Sequence, residues 1–118
     1  MGQLSTHVLD LMNGCPAAGM EVMLQQVDGP HPVTLKSFRL NADGRNDGGP
    51  LLDAQSMAVG RYRLLFKVAD YFRACGVLLP EPAFIDEVPL DFGIADPAAR
   101  YHVPLLVSPW AYSTYRGS

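Results

Sequence analysis

The chain has 118 residues, of which 48% are hydrophobic and 18% are charged, a composition typical of one globular domain spanning residues 1–118. A formal net charge of −3 and the lack of any Lys- or Arg-rich run argue against a nucleic-acid partner. No apolar stretch approaches the roughly 20 residues that span a bilayer, and no secretory leader pattern is visible, so we expect a cytoplasmic protein without a membrane partner.

The first half of the chain is predicted to form short strands separated by turns. Residues 4–11 are a β-rich run, and residues 20–28 and 33–40 give two further strands that end in Gly-, Pro- or Asn-containing turns. Residues 45–50 form a glycine-rich polar loop, which places Arg45 on a loop between strands. Loops held by a rigid sheet often carry functional side chains.

The second half continues the pattern with one interruption. Hydrophobic residues alternate along residues 61–68, which predicts a half-buried strand. Asp70 is then expected to cap a short helix that ends before Gly76. A further strand is predicted up to residue 94. Pro89 within it has no N–H for a ladder, so the strand lies at a sheet edge or bonds its partner only at other residues.

Residues 100–110 are predicted to form a strand followed by a tight turn, and residues 111–116 return as the last strand. The chain as a whole then contains seven or eight short strands with turns about every ten residues. We therefore predict an all-β, antiparallel β-sandwich with one short helix.

Two histidines fall on the outward-facing side of their strands. His7 alternates with the inward residues of the first strand and shares its face with Leu9 and Leu11. His102 shares the outer face of its strand with Leu106. An apolar outer face that carries histidines suggests a contact surface, although a lone strand histidine is more often a solvated residue than a catalytic one.

No metal or cofactor is expected. His31 lies between two prolines in a turn and is expected to be exposed and structural. The other two histidines lack a convincing carboxylate or thiol partner for a metal ion. Cys15 and Cys75 are far apart in the sequence, so we expect free thiols rather than a disulfide.

Three sequence blocks resemble the 5-hydroxyisourate hydrolases, the transthyretin-related enzymes of urate degradation. The blocks are Leu-Ser-Thr-His-Val-Leu-Asp at residues 4–10, Asp-Gly-Arg at residues 43–45, and the terminal Tyr-Arg-Gly-Ser at residues 115–118. Tyr-Ser-Thr at residues 112–114 extends the match, which covers the whole chain in order. Ser5 stands where Thr is also common in the family, and it is not expected to carry chemistry.

The resemblance implies a transthyretin-like fold and the hydrolysis of 5-hydroxyisourate to 2-oxo-4-hydroxy-4-carboxy-5-ureidoimidazoline, by attack of water on a ring amide carbonyl. It implies that the catalytic residues are His7, Arg45, His102 and Ser118. Tyr115 and Arg116 are implied to join the two histidines and Arg45 in binding the substrate. The resemblance also implies a homotetramer built from two dimers, and no cofactor.

Several roles stay open at this point. Either histidine suits the general base, with the other as a proton donor or substrate anchor. Arg45 suits a developing oxyanion, or it forms a loop salt bridge with a nearby aspartate. Ser118 acts through its hydroxyl or its terminal carboxylate. Arg116 alternatively braces the terminus, and Tyr115 alternatively fills an interface.

Two other functions compete with hydrolysis. The first is a transthyretin-like carrier that binds hydrophobic small molecules in a channel between subunits. The second is a non-catalytic interaction domain on the same fold, because fold does not fix function. Transthyretin lacks the histidine pair and the Tyr-Arg-Gly-Ser end, and both are present here.

Overall fold

The computed structural model describes residues 1–117 and shows two four-stranded sheets packed face to face. Ser118 lies outside the described residues. The elements in chain order are β1 (Gln3–Asp10), β2 (Cys15–Pro16), β3 (Glu21–Gln26), β4 (Val33–Arg39), β5 (Gly60–Lys67), α1 (Val68–Ala74), β6 (Glu87–Ile94), β7 (Arg100–Val107) and β8 (Tyr112–Thr114).

One sheet, called sheet A, has the strand order β2-β1-β7-β8, and the other, sheet B, has the order β4-β3-β5-β6. The predicted antiparallel sandwich is confirmed, with one pair that the sequence did not indicate. β1 and β7 run parallel, in a register that begins at Gln3 opposite Arg100 and ends at Asp10 opposite Val107. Parallel neighbours need a long crossover connection. All four strands of sheet B lie between β1 and β7 in the sequence and provide this connection.

The core lies between the sheets and follows the predicted alternation. In β5, Tyr62, Leu64 and Phe66 are buried, while the residues between them are half-buried. In β7, Val103 and Leu105 point inward in the same way. Full burial of a side chain the size of Phe66 contributes about 1.5–3 kcal/mol relative to exposure. The side of sheet A that faces away from this core is called its outer face below.

The edge prediction for Pro89 is confirmed, because β6 is the last strand of sheet B and pairs only with β5. The predicted helix cap is wrong. α1 begins at Val68, two residues before Asp70, and Lys67 precedes it without a side-chain capping bond. Asp70 instead lies in the first turn, where a carboxylate interacts favourably with the helix dipole. No helix within residues 1–117 is long and apolar enough to cross a membrane.

A buried carboxylate ties sheet A to α1. Asp10, at the end of β1, is 1% exposed and accepts hydrogen bonds from the backbone N–H of Asn13 at 2.9 Å, from Asn13 Nδ2 at 2.7 Å and from the Tyr71 hydroxyl at 2.7 Å. Burial alone raises the pKa of Asp10, but these hydrogen bonds outweigh burial, and the pKa is lowered. The ionised carboxylate is therefore the form that the fold stabilises.

We predict that Tyr71→Phe lowers the free energy of unfolding at pH 7 by about 1–3 kcal/mol, because a buried carboxylate loses a hydrogen-bond donor. Because the pKa of Asp10 is lower in the folded protein, its ionisation stabilises the fold at pH values above the ordinary pKa of 3.8. This stabilisation is lost as the pH falls through the pKa of Asp10 in the folded state. The difference between the two proteins should therefore shrink in acid. Urea unfolding of the wild type and of Tyr71→Phe, at pH 7 and in acid, is the measurement. Equal free energies of unfolding at pH 7 would contradict the role of this bond.

Candidate active site

Parallel pairing of β1 with β7 brings the two strand histidines onto the outer face of sheet A. His102 lies opposite Ser5, and His7 lies opposite Pro104, so the two rings occupy neighbouring positions along adjacent strands. Both histidines are half-buried. Their outward direction was predicted from the alternation, whereas their proximity follows from a pairing of residues far apart in the sequence.

The loop that carries Arg45 is packed directly against β1. The backbone N–H of Val8 donates to the carbonyl of Gly44 at 3.0 Å. Gly44 has a φ of 74°, and a Cβ built there would lie 2.6 Å from the carbonyl oxygen of Val8. Only glycine fits both the conformation and this close approach. Arg45 directly follows Gly44, so the contact between Gly44 and β1 fixes its backbone beside the strand that carries His7.

Asn41 organises this loop, and sequence reasoning missed it. Its side-chain oxygen accepts hydrogen bonds from the backbone N–H of Asp43 at 2.9 Å and of Arg45 at 3.1 Å. Its own backbone N–H donates to the carbonyl of Arg45 at 2.8 Å, and its side-chain amide donates to Asp47 at 3.0 Å. Asparagine commonly bonds the backbone two residues ahead, which is the signal that was available in the sequence.

The guanidinium of Arg45 has no carboxylate partner among residues 1–117. The ion pairs in that part of the chain are Arg39–Glu21, Arg63–Asp91, Lys67–Glu87 and Arg73–Glu81. Arg45 therefore forms no salt bridge with Asp43 or Asp47 in the structure, and that alternative is wrong. Arg45 instead lines a recess of about 220 Å³ on the outer face of sheet A, called the Arg45 recess, together with Gln3, Ser5, Arg100, Tyr101 and His102.

The electrostatic environment favours neutral imidazoles. Burial and then the positive charge of Arg45 lower the pKa of His7, and the carbonyl and carboxylate of Asp43 partly offset this. Burial, Arg45 and His7 likewise lower the pKa of His102. Both shifts take the pKa below the ordinary value of 6.5. At neutral pH the site therefore presents two uncharged rings beside one permanent positive charge.

The His102 ring is contacted on two sides. The hydroxyl oxygen of Ser5 lies 2.9 Å from Nδ1, although this position was not expected to carry chemistry. Gly117 exchanges two backbone hydrogen bonds with His102, at 2.7 and 3.3 Å. A Cβ built on Gly117 would lie 3.0 Å from Cδ2 of the ring, so the terminal segment reaches the imidazole without a side chain between them.

The structure does not bring every predicted site residue to the histidines. Arg116 stacks 4.2 Å from the ring centroid of Tyr101 and donates to the carbonyl of Arg100 at 3.1 Å. Tyr101 points inward, so Arg116 lies on the other side of β7 from His102, a position that suits bracing of the terminus. Tyr115 is exposed and lines the same cleft as Arg116, between β6 and β8. Ser118, predicted to be catalytic, lies outside the described residues.

No group of three or more His, Cys, Asp or Glu side chains within residues 1–117 is arranged to hold a metal ion. The two cysteines, Cys15 and Cys75, are free and exposed, as expected. The functional groups that the described part of the site offers are therefore two imidazoles, one guanidinium and the hydroxyl of Ser5. This set suits proton transfer next to a developing negative charge.

We predict that Arg45→Gln raises the pKa of both His7 and His102, because it removes a positive charge that disfavours the imidazolium form. NMR titration of the imidazole C–H resonances measures each value separately. Arg61→Gln, an exposed arginine in sheet B, is the matched control and should leave both values in place. Unchanged histidine titrations in Arg45→Gln would show that Arg45 does not act on the rings.

The chain matches known proteins along nearly its whole length. The transthyretin family model, described as the HIUase/Transthyretin family, matches residues 4–117. A 5-hydroxyisourate hydrolase from Ralstonia nicotianae is 52% identical over 118 residues, which cover 100% of both chains. The structure of the Klebsiella pneumoniae 5-hydroxyisourate hydrolase aligns with a TM-score of 0.76 at 33% identity and covers 100% of each chain.

Sea bream transthyretin, solved in complex with thyroxine, aligns with a TM-score of 0.83 at 24% identity, covering 98% of this chain and 94% of that one. At that identity the similarity shows the shared fold alone. The family resemblance that the sequence blocks predicted is thus confirmed along nearly the entire chain. This protein belongs to the HIUase/Transthyretin family.

Proposed function

We propose that this protein hydrolyses 5-hydroxyisourate as a step of urate degradation. The supporting observation is that Arg45 and His102 line one recess on the outer face of sheet A, and that His7 lies near enough to lower the pKa of His102. Relatives that match the whole chain at about half identity carry the name of this activity. The cytoplasmic location expected from the sequence remains a prediction.

The reaction opens a six-membered ring at an amide C–N bond. The oxygen of water forms a bond to the carbonyl carbon, the C–N bond breaks, and a proton from water passes to the departing nitrogen. Atoms and charges balance without an oxidant or reductant. The protein must therefore remove a proton from water, stabilise a negative carbonyl oxygen, and deliver a proton to nitrogen.

The two histidines supply the proton transfers. A general base must be unprotonated when the substrate arrives, and the lowered pKa values of His7 and His102 keep both rings in that form at neutral pH. One ring accepts a proton from water and the other positions the substrate or delivers a proton to the leaving nitrogen. Their adjacent positions on β1 and β7 let them act on one bound molecule.

Arg45 supplies the fixed charge. Its guanidinium is always protonated and planar, which suits contact with the carbonyl oxygens of the substrate and with the oxyanion that forms during water attack. Its exposure and the lack of an ion pair within residues 1–117 leave this charge available to a ligand. Asn41 and Gly44 hold the backbone on either side of it.

The terminal segment completes the proposal. Gly117, the last described residue, lies against His102, and Ser118 lies outside the described residues. Its predicted catalytic role, through the hydroxyl or the terminal carboxylate, therefore stays in the proposal. Tyr115 and Arg116 were predicted to bind substrate, and we favour the alternative of bracing for Arg116 because of its contacts with Tyr101 and Arg100.

The carrier alternative rests on the shared fold, which does not determine function. A pocket for hydrophobic molecules gains nothing from a guanidinium that has no carboxylate partner within residues 1–117, because desolvating that charge has a free-energy cost. The charge arrangement around Arg45 is therefore better suited to a polar substrate with several oxygens. We retain hydrolysis as the proposed function.

We predict that His7→Ala, His102→Ala and Arg45→Ala each lower kcat by about 10²–10⁴, the usual loss for an acid–base group or an oxyanion donor. The assay follows the absorbance of freshly made 5-hydroxyisourate against its spontaneous decay. His31→Ala, an exposed turn histidine, is the control and should keep full activity. A wild-type protein that does not accelerate the decay would overturn the proposed function.

We also propose a homotetramer built from two dimers. The outer face of sheet A carries the half-buried Leu9 and Leu106, and the turn after β1 adds Leu11 and Met12, which are 56% and 54% exposed. Small-molecule sites are normally concave and shielded from water, whereas the Arg45 recess is open. A second copy placed across a two-fold axis would cover this apolar surface and enclose two equivalent sites.

We predict that Leu106→Asp lowers both tetramer content and activity, because a buried charge would face its own copy across the two-fold axis. Leu78→Asp is the matched control, since Leu78 is 98% exposed and lies between α1 and β6. Sedimentation velocity at assay concentration measures the assembly state. A fully active monomer would rule out a site shared between subunits.

A further inference from the structure

The imidazole of His102 is fixed by a residue that none of the predicted roles includes. The Ser5 hydroxyl lies 2.9 Å from Nδ1 of His102, and the two residues are direct register partners in the β1–β7 pair. We propose that Ser5 is a positioning residue for His102, whose hydroxyl selects one of the two flipped orientations of the ring and leaves Nε2 as the nitrogen that exchanges protons.

A histidine ring has two orientations related by a half-turn about the Cβ–Cγ bond. This rotation exchanges Nδ1 with Cδ2 and Nε2 with Cε1, while the shape of the ring hardly changes. Packing alone therefore discriminates poorly between them. A hydroxyl at hydrogen-bond distance does discriminate, because it bonds a nitrogen and not a carbon. In the flipped ring, Ser5 would face Cδ2, and a carbon would occupy the position of the reacting nitrogen.

Among the described residues, the opposite side of the ring offers no substitute partner. Gly117 approaches Cδ2 with its backbone and has no polar side chain to receive a nitrogen. Its N–H and carbonyl are already engaged with the backbone of His102, at 2.7 and 3.3 Å. Within residues 1–117, Ser5 is the only side chain that bonds the His102 ring. Within the described part of the chain, this one hydroxyl therefore selects the orientation of the ring.

A hydroxyl also suits both protonation states of a ring that transfers protons. It accepts a hydrogen bond when Nδ1 carries the proton and Nε2 is bare, and it donates one when Nε2 carries the proton. Among residues 1–117, the charged and titratable groups that face the ring are Arg45, His7 and Arg100, and none of them bonds Nδ1. Ser5 can thus keep its contact with His102 before and after Nε2 exchanges a proton.

The test compares two substitutions of nearly equal shape, Ser5→Thr and Ser5→Val, which differ by one hydroxyl. Its kinetic arm rests on the proposed hydrolase function. We expect Ser5→Val to lower kcat by about tenfold, the size of one hydrogen bond, with KM almost unchanged. Ser5→Thr should stay within about twofold of wild type, since it keeps the bond. Ser37→Ala, on β4 in sheet B, is the serine control and should behave as wild type.

The second arm needs no substrate and separates this inference from the hydrolase proposal. Ring ¹⁵N shifts of His102 at pH 8 report which nitrogen is bonded and which carries the proton. Wild type and Ser5→Thr should share one pattern, and Ser5→Val should move away from it, even if the protein proved inactive. Equal ring shifts in the Val and Thr variants would overturn the positioning role, and so would normal kcat in a Val variant whose ring shifts had changed.

Discussion

The parallel pairing of β1 with β7 is the constraint on which the rest of the site depends. It runs along the full length of both strands and brings together residues that are 97 apart in the sequence, as in the bond between Ser5 and His102. On the inner face the buried Thr6 hydroxyl donates to the carbonyl of Val103 at 2.7 Å, which favours this register. A slip by one residue would turn a histidine toward the core, so the packing of the core and the geometry of the site are determined by the same register.

The second requirement is a positive charge beside this strand pair, which Arg45 supplies from a loop. Gly44 allows the loop to touch β1, and Asn41 fixes the backbone around Arg45. Sheet A adds a second positive charge, Arg100 at the start of β7, which lines the same recess. Burial, and then the charge of Arg45 on its loop, lower the pKa of both His7 and His102.

The sequence predicted those features that are determined within a single strand. It gave the outward direction of His7 and His102, the inward set of β5, and the edge position of Pro89. It did not predict what depends on two distant segments: the parallel direction of β1 and β7, the hydroxyl of Ser5 on His102, and the bond from Tyr71 to Asp10. The prediction that Asp70 caps the helix was wrong because the helix begins earlier, at the buried Val68 and Ala69. Asp70, a residue type that favours the cap position, therefore lies in the first turn. Family resemblance supplied the site residues that periodicity alone left undecided.

The central claim is that His7 and His102, from distant parts of the chain, act as one unit on one substrate molecule. A double-mutant cycle on kcat/KM tests it most directly, with His7→Ala, His102→Ala and the double variant assayed on 5-hydroxyisourate. The account predicts strong non-additivity, with the double variant only slightly slower than the slower single variant, because removal of either ring already disables the shared proton transfer. Losses that multiply fully in the double variant would contradict a single catalytic unit.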